Sequence, residues 1–355
     1  MNAPATAAFR HAYVGTRTTR ERNARGEGIS VYAFDPASAS LRCIQVVREL
    51  VNPSFLAVDA ARTRLYSVHG DQREISAFAI AADGTLAPLN RQSTGGLNPV
   101  HLALAPAGGH VVVSNHISGD LAVLPLSADG ALEPVCQQIA LEGTPGPHRV
   151  EQPHAKPHHN PFDPAGRHVV VPDKGLDRVF VFRFDAGRLH PASSVAAREG
   201  AGPRHLVFHP RLAMAYAINE LDSTVVAYAY DAARGSVSAQ QLVLALPPRH
   251  TGNSRAAALV IAPDGRHLYA SHRGADCLTV FAIEADSGHL RYLVDQPSLG
   301  RTPRFATFTP DGRHLFVLNE DSDTIVAFAR DAATGTLRPQ GAATACASPV
   351  CMVFA

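Results

Sequence analysis

The sequence predicts an all-β chain folded as a seven-bladed β-propeller with four antiparallel strands per blade, and three observations lead there. A proline followed by an apolar run recurs as Pro53 (NPSFLAV), Pro99 (NPVHLAL), Pro157 (KPHHNPF), Pro203 (GPRHLVF), Pro303 (TPRFATF) and Pro349 (SPVCMVF), at steps of 46, 58, 46, 100 and 46 residues. The step of 100 holds one more copy near Arg255 (NSRAAALVIAPDG), without the proline, so the copies number seven. Short segments alternate apolar and polar residues at period two, and no stretch sustains a 3.6-residue period between helix caps.

Within a copy the elements follow in a fixed order. The apolar run is the first strand and leads into a turn such as PDGR (263–266, 310–313) or PAGR (164–167), whose glycine supplies the positive φ of a hairpin. A second segment (LYA, VVV or LFV) ends on a polar residue. The third alternates, as in TVVAYAYD (224–231), CLTVFAIE (277–284) and TIVAFARD (324–331), and a Gly-x-Leu turn introduces the fourth.

The last copy stops at Ala355 after one strand, which would leave a blade with open edges. The N-terminal region holds the three missing strands, HAYVGT (11–16), GISVYAFD (28–35) and RCIQVVREL (42–50). The expectation is therefore a closing blade built from 9–50 plus 349–355, which makes 1–355 a single domain.

Composition bounds the function. The 355 residues are 46% hydrophobic and 18% charged, enough apolar material for a large core. Lys and Arg number 32 against 31 Asp and Glu, a net charge of +1, so neither a nucleic-acid footprint nor an acidic tail is present. No apolar run is long enough to span a membrane, and Met1 to Ala8 lack a basic region followed by an apolar stretch; a soluble cytoplasmic protein is expected. Cys43, Cys136, Cys277, Cys346 and Cys351 are scattered and read as buried small hydrophobes rather than a disulfide framework or a zinc site.

A site is expected at one mouth of the channel, where the innermost strands start and the second strands end. Strand starts supply Ser54, His101, His158, Arg204, Arg255 and Arg304, and second-strand ends supply His69, His116, Asp173, Glu220, Arg273 and Glu320. Arginine, histidine and glutamate gathered at one mouth suit an anionic ligand and proton transfer. His110, His168, His267 and His314 follow turns at the other mouth and read as structural. The step of 58 contains an insertion of about 12 residues in TPGPHRVEQPHAKPHH (144–159), a candidate lid on the site face. Its His148, His154, His158 and His159 lack a local ligand motif, so neither a metal nor a cofactor is expected. A second long loop, PPRHTGNSRA (247–256), brings Arg249 and Arg255 to the same mouth.

The runs GAGPRHLVFHP (200–210) and YAINELDSTVVAYAYD (216–231) resemble the seven-bladed propeller lactonase family, which contains bacterial 6-phosphogluconolactonases and the fungal 3-carboxy-cis,cis-muconate lactonizing enzyme. VPDKGLDRVFVFR (171–183), APDGRHLYASHRGADCLTVF (262–281) and TPRFATFTPDGRHLFVLNEDSDTIVAF (302–328) extend the likeness over nearly the whole chain. The resemblance implies catalytic residues at His158, Arg204, Glu220 and Arg273. This chain departs from the family pattern at Lys156, where relatives often have His, at His272, where they often have Asn, and near Ala258, where they commonly have Glu.

Three functions fit these residues. Hydrolysis of a sugar lactone, first of all 6-phosphogluconolactone, would use Glu220 or His158 as general base, with Arg204 and Arg273 on the oxyanion or the phosphate. Cyclisation of a carboxylated muconate would use the same four groups. A non-catalytic binding module is the third reading, disfavoured by 6% aromatic residues and no tryptophan. In either enzyme the partner is a small anionic substrate, contacted further by His101, His116, Lys156, Asp173, Arg255, His272 and Arg304; no nucleic-acid or membrane partner is expected.

Overall fold

A computed structural model describes residues 9–355. The reading of Met1 to Ala8 for a leader falls outside the described residues. Among the described residues the chain forms an all-β propeller of seven blades, interrupted by two single 3-10 turns, Arg20–Arg22 and Glu320–Ser322. Blades 1 to 6 cover 53–93, 99–140, 157–196, 203–244, 255–297 and 303–345 in chain order. Blade 7 pairs Pro349–Phe354 as its innermost strand with His11–Thr16, followed outward by Ile29–Asp35 and Ser40–Val47.

That seam has regular antiparallel register, with Ala12 opposite Phe354 and Gly15 opposite Cys351. Pro349–Phe354 lies between the innermost strands of blades 6 and 1. Apolar residues of facing strands form seven buried clusters, one between each neighbouring pair of blades. The cluster between blades 7 and 1 packs Tyr13, Ile29 and Cys351 against Leu56, Leu65 and Phe78. Removing such surfaces from water stabilises the ring by roughly 25 cal/mol per Å².

Tyrosines on second strands tie four of the blades to the next one. Tyr13, Tyr66, Tyr216 and Tyr269 donate to the carbonyls of Gly84, Gly130, Gly288 and Gly335, at 2.7–3.0 Å. His110, His168 and His267 pack against Gly187, Gly235 and Gly335 of the next blade, where a Cβ would collide with the imidazole. This is the structural role expected of those histidines.

Two blades depart from four unbroken strands. In blade 3 the innermost segment, 157–162, holds to Pro157–Asp173 and Phe162–Val169 bridges only. Pro161 has no N–H to give the ladder, and the Asn160 side chain instead donates to the Val112 carbonyl at 2.9 Å. In blade 6 the outer strand is broken into Leu337–Pro339 and Thr344–Ala345, with Gly341 at φ 69° between them.

Candidate functional site

Strand register decides which side chains meet at the mouth. Pro53, Pro99, Pro203 and Pro303 stand opposite His69, Asn115, Asn219 and Asn319, and the pairing then shifts by one residue. That shift is a β-bulge, which re-aims the extra side chain. The extra residues are Ser54, Val100, Arg204 and Arg304; His158 and Val350 occupy the same place after Pro157 and Pro349. One residue further on lies a second layer containing Phe55, His101, His159, His205 and Phe305, whose rings pack on one another.

The residue just past each second-strand partner completes the mouth: Arg17, Gly70, His116, Lys174, Glu220, Arg273 and Glu320. A cleft of 280 Å³ opens there, lined by eight Lys or Arg side chains against only two carboxylates, Glu151 and Glu220. The expected His158, Arg204, Glu220 and Arg273 all line it, as do His116, Lys156, Arg255 and Arg304.

Glu220 is the centre of the charge pattern. Arg204 Nε donates to its Oε2 at 2.9 Å. Its Oε1 lies 3.3 Å from Arg273 Nη2, 3.4 Å from Lys174 Nζ and 3.6 Å from Arg255 Nη1. Burial disfavours the charge, but Arg273, Lys174 and Arg204 outweigh it and hold the carboxyl well below the usual carboxylate range. Arg204 Nη1 is occupied by the Ala257 carbonyl and by His205 Nε2. Arg273 Nη2 also donates to the Ala256 carbonyl at 3.0 Å. Among the described residues, Nη2 of Arg204 and Nη1 of Arg273 make no hydrogen bond, and Arg273 Nε is buried without a partner.

His158 is buried, and its Nδ1 has no hydrogen-bond partner among the described residues. Burial first, then the Arg204 charge and His116, push its pKa well below the ordinary imidazole value, so the ring is neutral. His116 Nδ1 lies 3.2 Å from the Pro157 carbonyl, a contact that puts the proton on Nδ1 and leaves Nε2 as acceptor.

Three expected contacts fall elsewhere. Asp173 is fully buried and accepts from the Lys156 and Leu176 amides at 2.8–3.0 Å; burial pushes its pKa up to about 6. It holds the end of the insertion, and the neighbouring Lys174 reaches the cleft instead. His101 sits one layer too deep, with Nδ1 2.7 Å from Asn160 Oδ1 and its ring on His159. His272 takes the place of the partner asparagine, opposite Ala256, and is buried outside the cleft. Of the other mouth positions, His69 turns to the Val51 carbonyl and Ser76, and Arg249 is exposed away from the cleft.

The insertion is a wall tied down at several points. Gly146 N donates to the Gly175 carbonyl and Gln152 Nε2 to the Lys174 carbonyl, each at 2.9 Å. Glu151 lies 2.9 Å from Lys174 Nζ and 2.6 Å from Arg255 Nη1, and against the cost of burial these cations bring its pKa down to about 2. His148 and His154 are exposed, and among the described residues no His, Cys, Asp and Glu side chains are grouped to hold a metal.

Sequence reasoning missed Arg17, Glu151 and Lys174. Arg17 follows HAYVGT as Glu220 follows its own second strand, so the same rule applied to the closing blade finds it.

A family model described as lactonase, 7-bladed beta-propeller, matches residues 11–354. The chain is similar to 6-phosphogluconolactonases of Bacillus subtilis, at 33% identity over 83% of this chain and 84% of that protein, and of Formosa agariphila, at 31% over 82% and 84%. Among solved structures, a Bacteroides fragilis protein superposes with a TM-score of 0.90 at 30% identity, covering 100% of both chains. The periplasmic gluconolactonase of Pseudomonas aeruginosa superposes with a TM-score of 0.89 at 30% identity, over 98% of this chain and 99% of that one.

Proposed function

The chain belongs to the 7-bladed beta-propeller lactonase family, and from that premise we propose that it hydrolyses 6-phosphogluconolactone to 6-phosphogluconate, acting as one closed domain of residues 1–355. The observation that carries this reading is the excess of cations around a neutral His158, whose Nδ1 has no hydrogen-bond partner among the described residues, in one cleft. Such a cleft attracts a phosphorylated lactone and stabilises the oxyanion formed when its carbonyl is attacked.

The division of labour follows from the hydrogen bonds. Glu220 spends both oxygens on Arg204, Arg273 and Lys174, so it positions guanidinium groups and is poorly placed to take a proton. His158 is the general base. Its neutral ring accepts a proton from water as the oxygen adds to the lactone carbonyl. Negative charge on the carbonyl oxygen is met by the free nitrogens of Arg204 and Arg273, and that same charge relieves the penalty on a protonated His158. Collapse of the tetrahedral adduct breaks the bond from the carbonyl carbon to the ring oxygen, and His158 returns its proton to that oxygen. The muconate reading needs the same residues, but the names of the Bacillus and Formosa relatives favour the sugar lactone.

The five cysteines are free thiols, which suits a reducing compartment, and a phosphorylated substrate does not cross membranes unaided. We therefore place the enzyme in the cytoplasm, with a small anionic substrate as its partner. The test is an assay of the purified protein on freshly generated 6-phosphogluconolactone with spontaneous hydrolysis subtracted. Acceleration by catalytic amounts of protein is expected, and its absence overturns the reading.

A further inference from the structure

Arg17 is a buried cation that no carboxylate touches among the described residues. It is 3% exposed, and among the described residues its side chain makes no ion pair and no hydrogen bond. Close by, Ser54 Oγ is buried and equally unpartnered. Both point to one spot: a Cβ placed on Gly70 would lie 2.5 Å from Arg17 Nη1 and 3.0 Å from Ser54 Oγ. Gly70 holds the mouth position that other blades fill with Lys174, Glu220 or Arg273, and its missing side chain leaves room for the guanidinium. Arg304 lines the same cavity beside them.

The nearby carboxylates do not answer this charge. Asp71 is bonded to Arg22 and to Asn52, and Glu320 faces Arg304 at 3.6 Å. Burial, then the Arg304 and Arg22 charges, outweigh the more distant Glu320 and Asp71 and push the Arg17 pKa down to about 9, so the group remains a cation at neutral pH. Leaving a buried charge unpaired is strongly unfavourable. An anionic ligand would supply the missing partner.

The place of this group in the ring says which part of a ligand it meets. Arg17 and Ser54 come from blades 7 and 1, across the channel from blade 4, which carries Arg204 and Glu220. Arg17, His158, Arg204 and Arg304 line both the 280 Å³ cleft and a small adjoining cavity of about 20 Å³ that Ser54 also lines, so the two sides face a shared space. A 6-phosphoaldonolactone has its carbonyl at one end and its phosphate at the other.

We propose that Arg17, Ser54 and Arg304 form a subsite for the substrate's terminal phosphate, which sets the preference for phosphorylated over unphosphorylated lactones. This assignment rests on the lactone-hydrolase reading for the identity of the ligand, but not for the existence of an anion site. Two guanidinium forks and a hydroxyl match the oxygens of a phosphate dianion.

The experiment uses the full chain and two variants, Arg17→Ala and Arg17→Met, the second keeping the buried stem filled if the first fails to fold. Inorganic phosphate is titrated against the thermal midpoint at constant ionic strength. The wild type is expected to be stabilised, and the variants to need roughly 10-fold more phosphate for the same shift. The kcat/KM for 6-phosphogluconolactone relative to that for unphosphorylated gluconolactone is expected to fall roughly 10- to 100-fold in either variant, mostly through KM. A wild type indifferent to phosphate, or variants with unchanged phosphate response and unchanged ratio, overturns the subsite. If the wild type turns over neither lactone, the lactonase reading fails alone, and the phosphate titration still decides the subsite.

Discussion

Arg204 Nε donates to Glu220 Oε2 at 2.9 Å, and both side chains are about 95% or more removed from solvent. This pair is the electrostatic keystone of the mouth, because the other oxygen of Glu220 faces Arg273, Lys174 and Arg255. A carboxylate so committed organises cations and does not leave them.

Glu220→Gln tests that role against the alternative of a base. Loss of the charge leaves Arg204, Arg273 and Lys174 repelling one another in a buried place, and breaking such a pair costs about 3–5 kcal/mol. Urea unfolding is therefore expected to show lowered stability together with a large loss of kcat. A variant that is inactive but as stable as the wild type would return the base role to Glu220.

His158→Gln is expected to separate in the opposite way. Its Nδ1 has no partner to lose, so stability should stay within about 1 kcal/mol, while removal of a general base lowers kcat by roughly 10²–10⁴-fold. Measuring kcat beside the unfolding free energy checks both halves.

The architecture is legible because it is written as spacing: a proline and an apolar run repeat at 46 residues, and the seam follows from counting strands at the two ends. The site is legible only to within one residue. Side chains alternate faces along a strand, so an offset of one exchanges channel for interior. His101 for Val100 and Asp173 for Lys174 are errors of that kind. A bulge after Pro203 turns Arg204 into the channel, and nothing in GPRHLVF announces a bulge. Glu151 stands in an insertion without periodicity, and its partners Lys174 and Arg255 lie 23 and 104 residues away. Such pairing is settled by tertiary packing alone.

The offset at blade 3 has a measurable consequence. Lys174→Met removes a cleft cation together with its pairs to Glu151 and Glu220, and is expected to raise KM for a phosphorylated lactone roughly 10-fold. Asp173→Ala instead frees the Lys156 and Leu176 amides in a buried place, at a cost of about 1–3 kcal/mol per unsatisfied group. Its main effect should be on unfolding and on hydrogen exchange of the insertion. Matching phenotypes for the two variants would undo the assignment.

Acid should destabilise the propeller well before it protonates ordinary carboxylates. Burial holds His101, His116 and His272 at pKa values of about 3, against 6.5 for an unrestrained imidazole. Between those values the unfolded chain binds the protons that the folded chain refuses, so the stability these rings contribute is complete above pH 6.5 and is lost as pH falls toward 3. Each contributes a slope of about 1.4 kcal/mol per pH unit in that window. Asp173 works the other way, since its folded value is raised to about 6 from 3.8; it cancels about one histidine between those pH values. Below pH 4.5 the depressed carboxyls of Glu220 and Glu151 add to the loss. His101, His116 and His272 against Asp173 alone give about 3 kcal/mol per pH unit between pH 6 and 4, and His158, His159 and His205, which burial also holds well below 6.5, make the slope steeper, as read from urea midpoints across a buffer series. His101→Asn, which removes one of these rings, should flatten the slope by about 1.4 kcal/mol per pH unit, and an unaltered profile would mean that this ring is protonated in the folded chain.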